Sequence, residues 1–187
     1  LSIGDIAIAP SNPDIVWVGT GEENARNSVQ WGDGVYRSLD GGETFQNMGL
    51  SESFQIGHIE IHPKNPDIVY VAALGKLWGE NEERGVYKTT DGGKTWERVL
   101  FLDSKTGCID VRVHPGDPNT VFACMYERKR DIFDGNDPAA SWAAAAGQPL
   151  ASRVGIDDHA GAAGAGLRPP ATRPQPLVHP LDLPRAS

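Results

Sequence analysis

Two groups of carboxylates stand beside tryptophans in this chain, and together they have the makings of a sugar-processing site. Glu22, Glu23 and Asp33 accompany Trp31, while Glu80, Glu82 and Glu83 accompany Trp78. Hydrolysis of a glycosidic bond uses two carboxyl groups roughly 5–10 Å apart, one as acid and the other as base or nucleophile. An indole supplies the broad apolar face on which a sugar ring can stack. Glu22 is the candidate catalytic residue, because Gly19 and Gly21 on its N-terminal side allow a ligand to approach the backbone closely. Glu23, Arg26, Asn27, Trp31, Asp33, Trp78 and Arg84 are the candidate ligand-binding residues. The competing reading is that acids on long loops are solvated, and that Arg84, beside Glu82 and Glu83, makes surface ion pairs.

Other reactive side chains point to less. His58, His62 and His114 lie at strand or turn positions, and His62 and His114 directly precede Pro63 and Pro115, so turn packing accounts for them ahead of metal ligation. The sequence implies no metal site and no cofactor. The glycines of the GTGE and DGG stretches lie on turns without a following helix, which excludes a phosphate-binding loop. Cys108 and Cys124 flank a hairpin turn and are expected as two buried thiols, with a disulfide as the alternative. A net charge of −8 and a pI near 5.0 argue against nucleic acid and anionic membranes as partners. No apolar run reaches the roughly 20 residues of a membrane-spanning helix, so no membrane insertion is expected. The chain opens at Leu1, in strand-like sequence, and a preceding leader is compatible with this reading.

The elements that would position these residues are written as repeats. GVYRSLDGGETF at 34–45 returns as GVYKTTDGGKTW at 85–96, a step of 51 between Asp40 and Asp91. Each copy reads as a hairpin: a short alternating strand, an Asp-Gly-Gly turn, then Thr and an aromatic. Asp40 and Asp91 can accept hydrogen bonds from the turn's own N–H groups, and the glycine pairs supply positive φ. Phe45 and Trp96 are expected to lie on the sheet as apolar lids. A second phrase, strand, proline-bounded turn, strand, occurs three times around Pro10, Pro63 and Pro115, at steps of 53 and 52.

Joined, the phrases give a unit of about 50 residues with four antiparallel strands, the dimensions of a propeller blade. The strands of the first unit end near Ile8 (A) and cover 15–18 (B), 35–38 (C) and 44–47 (D). Antiparallel order then puts the A–B and C–D turns at one end and the variable B–C and D–A connections at the other. The B–C segments 19–33 and 74–84 carry the candidate site residues, as binding loops often do. Blades are expected at 1–57 and 58–110, with an incomplete one at 111–138 that has no visible return strand. Beyond it, 139–187 is rich in Ala, Pro, Gly and Arg and is expected as a disordered or frameshifted tail. A third turn aspartate belongs at 143–145, where Ala143, Ala144 and Ala145 stand instead.

Ser38, Asp40, Gly42, Thr44 and Phe45, and Thr89, Asp91, Gly93, Thr95 and Trp96, fit the pattern S/T-x-D-x-G-x-T-W/F. Over residues 1–138 the chain therefore resembles the Asp-box (BNR) propellers, among them the sortilin/Vps10 N-terminal type and the bacterial glycosyl hydrolases similar to family 74 xyloglucanases. The resemblance implies an all-β fold, a partial β-propeller of about two and a half blades with a low-complexity tail. It also implies that the Asp boxes are structural and sit at the blade periphery, and that missing blades of the parent propeller complete the molecule. The implied function is a fragment of a binding or scaffold module for a carbohydrate or peptide ligand. The alternative is a glycoside hydrolase whose carboxylate pair comes partly from the missing blades, with this fragment inactive. The arginine cluster and Tyr–Glu pair of a sialidase cannot be assigned here.

Overall fold

The computed structural model describes residues 1–24, 29–127 and 150–155, the last by backbone alone. Their regular structure is β, apart from a 3-10 turn at Ser51–Ser53. Sheet I has the order β1 (Ile3–Ile8), β2 (Val16–Thr20), β3 (Val35–Ser38), β4 (Gln46–Asn47). Sheet II repeats it with β5 (Ile56–Ile61), β6 (Val69–Ala73), β7 (Gly85–Thr89) and β8 (Glu97–Leu100). Sheet III contains β9 (Thr106–His114), β10 (Asp117–Glu127) and β11 (Leu150–Gly155). All pairings are antiparallel, with Ile6 opposite Val18 in sheet I and Ile59 opposite Val71 in sheet II.

The fourth strands start later than the repeat suggests, β4 at Gln46 and β8 at Glu97. Thr44 and Thr95 belong to the turns instead, their hydroxyls and amides bound to Asp40 and Asp91. A return strand for sheet III, not visible in the sequence, is present: Leu150–Gly155 pairs along β10, with Arg153 opposite Phe122. The eleven-residue β10 leaves a long row of edge N–H and C=O groups, and LASRV is too short an alternation to stand out from its surroundings. Apart from this backbone, the tail at 139–187 and the Ala143, Ala144 and Ala145 positions lie outside the described residues.

Alternation gives each sheet two apolar faces, and consecutive sheets stack through them. Trp17, Val35 and Ala9 of sheet I meet Ile59, Val69, Val71 and Tyr87 of sheet II. The residues between these on sheet II, Tyr70, Ala72 and Val86, meet Val111, Val113, Val121 and Ala123 of sheet III. Burying a Val or Ile side chain contributes about 1.5–3 kcal/mol, so the stack is held mainly by these two cores. The first strands of successive sheets also touch, whereas the fourth strands lie outermost. This is the face-to-face packing of propeller blades, with β1, β5 and β9 as inner edges.

Candidate functional site

The carboxylates of the two Asp-Gly-Gly turns are occupied by the turns themselves. Asp40 accepts from Ser38 Oγ at 2.6 Å, Thr44 N at 2.9 Å and Thr44 Oγ1 at 2.5 Å. Asp91 accepts from Thr89 Oγ1 at 2.8 Å, Thr95 N at 3.0 Å and Thr95 Oγ1 at 2.7 Å. Hydrogen bonds from Ser38 and Thr44 hold the Asp40 carboxyl down at about 2, and those from Thr95 and Thr89 hold Asp91 well below its usual range. Gly41 and Gly42 (φ 72° and 96°) and Gly92 and Gly93 (φ 72° and 91°) make the left-handed bends. Gly41 N donates to Asp14 O and Gly92 N to Asp67 O, which ties each turn to the A–B turn of its own sheet. Both turn types therefore share one end, and the B–C loops occupy the other.

At the loop end the connection from sheet I to sheet II is gripped from both sides. Phe54 O accepts from Gly32 N at 2.8 Å, and Gln55 O accepts from Leu74 N at 2.9 Å. Asn81 Nδ2 reaches Glu52 O at 3.2 Å, while Lys76 N donates to Asn81 Oδ1 at 2.9 Å. Phe54 adopts φ 58°, ψ −36°, a conformation rare outside glycine, which the surrounding bonds enforce. Gly21 permits the contact, since a Cβ there would lie 2.2 Å from Phe54 O. Trp31, 54% exposed, stands edge-on to Phe54 at 5.6 Å, and Lys76 Nζ lies 4.5 Å from the Phe54 ring centroid. Gln55 is fully buried, and among the described residues neither its Nε2 nor its Oε1 has a hydrogen-bond partner. Two loops and one connection thus build an aromatic and cationic surface that no single segment carries.

The other sequence candidates are distributed differently. Glu22 is half-buried, and its Oε2 accepts from Gln30 N at 3.3 Å across the loop closed by Glu22 N and Gln30 O. Asp33 Oδ2 accepts from Tyr36 Oη at 2.7 Å, and Asp33 N donates to Thr20 Oγ1 at 2.9 Å, so this carboxylate anchors the start of β3. Glu23 and Trp78 are half-buried in their loops. Arg26 and Asn27 lie outside the described residues. Arg84 is not at the surface, where the acids beside it would place it. Its fully buried guanidinium donates to the carbonyls of Leu74, Lys76 and Gly79, filling the turn of loop 74–84 with donors that the backbone lacks. Glu80 turns to Ser104 Oγ at 2.8 Å and Lys105 Nζ at 3.8 Å.

A third group, on the inner edges, escaped the sequence reading. Asp5, His58 and Asp110 each stand five residues before a marker proline, and the fold lines them up across β1, β5 and β9. His58 Nδ1 is 2.9 Å from Asp5 Oδ2, and its Nε2 is 3.5 Å from Glu60 Oε2 and 4.0 Å from Asp110 Oδ1. Asp5 Oδ2 also accepts from Ile59 N at 2.7 Å, and Glu60 Oε1 from Val113 N at 3.3 Å, so the cluster stitches three sheets together. The Asp5 and Glu60 hydrogen bonds raise the His58 pKa to about 9. Burial favours protonation of Asp5, but its bonds from His58 and Ile59 outweigh this and keep the carboxyl below its usual value. The sequence signal for this cluster is the shared offset from Pro10, Pro63 and Pro115. His62 stands in the turn after β5 and His114 is the last residue of β9, their Nδ1 atoms accepting from Asn65 N at 3.1 Å and Gly116 N at 3.1 Å. Cys108 and Cys124 are free thiols, and burial pushes the Cys108 thiol up to about 12. Among the described residues no helix is long and apolar enough to cross a membrane.

Residues 33–145 match the Sortilin-Vps10 family, described as Sortilin, neurotensin receptor 3. Over 76 residues the chain is 38% identical to the vacuolar protein sorting/targeting protein 10 of Kluyveromyces lactis, a stretch covering 41% of this chain and 5% of that protein. An ancestral GH74 enzyme superposes with a TM-score of 0.51 at 20% identity, covering 68% of this chain and 14% of the enzyme. The GH74 enzyme of Niastella koreensis gives a TM-score of 0.46 at 19% identity, with 65% and 17% covered. The chain thus spans a small part of the relatives it matches.

Proposed function

The chain belongs to the Sortilin-Vps10 family, and from that premise we propose that it is part of a binding propeller whose B–C loop end engages a peptide or glycan ligand. The observation that carries this reading is the surface of Trp31, Phe54 and Lys76, assembled from two sheets and held by a strained connection. An exposed indole beside a half-buried phenyl ring and an ammonium suits a ligand that offers apolar surface and an acidic or hydroxyl group. The family description names a receptor, and the Kluyveromyces lactis relative is named for protein sorting and targeting, which supports binding over hydrolysis. The hydrogen bonds that occupy Glu22 and Asp33 favour the same choice.

The test is direct. A random-peptide display library and a glycan array are applied to the folded chain and to Trp31→Ala. Selective enrichment of one ligand class that Trp31→Ala lowers about tenfold supports the proposal. Equal retention by both proteins contradicts it. Release of reducing sugar from xyloglucan by the parent protein, lost in Glu22→Gln, would instead establish a hydrolase.

A further inference from the structure

The loop end between sheets I and II holds a cation without a counter-charge. Lys76 is half-buried, its ammonium stands over the Phe54 ring, and it pairs with no carboxylate among the described residues. The acids of both loops are engaged elsewhere: Glu22 accepts from Gln30 N, Asp33 from Tyr36 Oη, and Glu80 from Ser104 Oγ beside Lys105. In a chain of net charge −8 this is a local reversal of sign. Drawing an ammonium partly out of water costs free energy, which a phenyl face offsets in part and an anion would offset further.

The position of this cation is fixed by buried side chains. Lys76 N donates to Asn81 Oδ1 at 2.9 Å, and Lys76 O accepts from Arg84 Nη2 at 2.6 Å. Arg84 is fully buried and Asn81 is 9% exposed. Asn81 Nδ2 also holds Glu52 O at 3.2 Å, so one side chain ties the segment carrying Lys76 to the segment carrying Phe54. Gly75, at φ 76°, lets the loop close on it, since a Cβ there would stand 2.4 Å from Asn81 Oδ1. Little ordering is left for a ligand to impose.

We propose, resting on the binding reading above, that this surface recognises an extended peptide segment in which an acidic residue stands two positions from an apolar one. The acid meets Lys76, and the apolar side chain covers Trp31. With 5.6 Å from indole to phenyl and 4.5 Å from phenyl to ammonium, the ends of the surface are at most about 10 Å apart, a span suited to alternate side chains of an extended peptide, about 7 Å apart on one face. A neutral sugar would stack on the indole but leave the ammonium without its anion. A sugar acid carries its carboxyl directly on the ring, which lacks the reach of two side chains. Apolar contact supplies the area, and the charge selects the segment.

Solution NMR of the full 187-residue chain tests the proposal, with millimolar additions of three probes. These are the end-blocked peptide Ser-Phe-Ser-Glu-Ser, its counterpart with Gln for Glu, and a methyl glucuronide. The acidic peptide should shift the Trp31 indole N–H and the Lys76 signals, and the Gln peptide should bind about fivefold more weakly. Lys76→Met, checked for an unchanged circular dichroism spectrum, should erase that difference, and Lys76→Arg should keep it. Equal binding of the two peptides, a preference that survives in folded Lys76→Met, or no shift at Trp31 and Lys76 overturns the proposal. Tighter binding of the glucuronide at the same signals overturns it in favour of an acidic glycan. An uncharged ligand from the display or array experiment that needs Trp31 but not Lys76 also overturns it, while leaving the loop end as a binding surface.

Discussion

His58 carries its proton through neutral pH because carboxylates from its own strand and the neighbouring sheets surround it: Asp5, Glu60 and Asp110, with Arg112 beyond. Its pKa of about 9 lies above the ordinary value of 6.5, so folding favours the protonated form. That contribution is complete below pH 6.5 and is lost as pH rises through 9. The depressed carboxyl of Asp5 works in the opposite sense, contributing above its ordinary value and fading as acid protonates it. Urea midpoints recorded between pH 7 and 10 should therefore fall in the wild type and stay nearly flat in His58→Gln. Arg84 makes a second residue-scale prediction. Replacing it by Met leaves three buried carbonyls without their donor and should destabilise the fold by about 3 kcal/mol in urea titrations. An unchanged midpoint would show that water replaces the guanidinium.

At the scale of the element, the Asp-Gly-Gly turn does two jobs. It closes its own hairpin, and in sheet II it also presses against the sheet before it. Trp96 Nε1 donates to Met48 O at 2.7 Å, and Gly93 lies under Trp17, where an added Cβ would stand 2.6 Å from the indole. Gly93→Ala would meet both this contact and a φ of 91°, and should cost about 2 kcal/mol in thermal or urea unfolding. Gly41 lacks such a neighbour, so Gly41→Ala should cost only the smaller backbone term at φ 72°. Equal losses at the two positions would contradict the assignment of Trp17 and Gly93 to an inter-sheet contact. The difference also explains why Phe45 is exposed while Trp96 is half-buried: the aromatic covers the preceding sheet, not its own.

Across the whole molecule, the strand order, the two turn families and the end at which each lies were legible in the sequence, because they depend on local rules. Pro, Asn, Asp and paired Gly stop strands wherever they occur, and two near-copies fix the spacing. Arg84, His58 and Phe54 were not legible, since each acquires its role from groups far away in sequence or in the next sheet. Arg84 stood among acids and was expected at the surface, yet the loop needed its donors inside. Trp31 was recognised, but its partners Phe54 and Lys76 lie on segments that meet only after two sheets stack. Under the proposed function the two ends divide the labour, scaffold turns at one and a ligand surface at the other. The most direct test is a binding titration with the ligand class enriched in the library and array experiment, comparing Trp31→Ala and Lys76→Ala with Leu39→Ala beside the Asp-Gly-Gly turn. The account predicts about tenfold weaker binding for the first two and wild-type affinity for the third. Wild-type affinity in Trp31→Ala and Lys76→Ala, or a loss confined to folded Leu39→Ala, would contradict it.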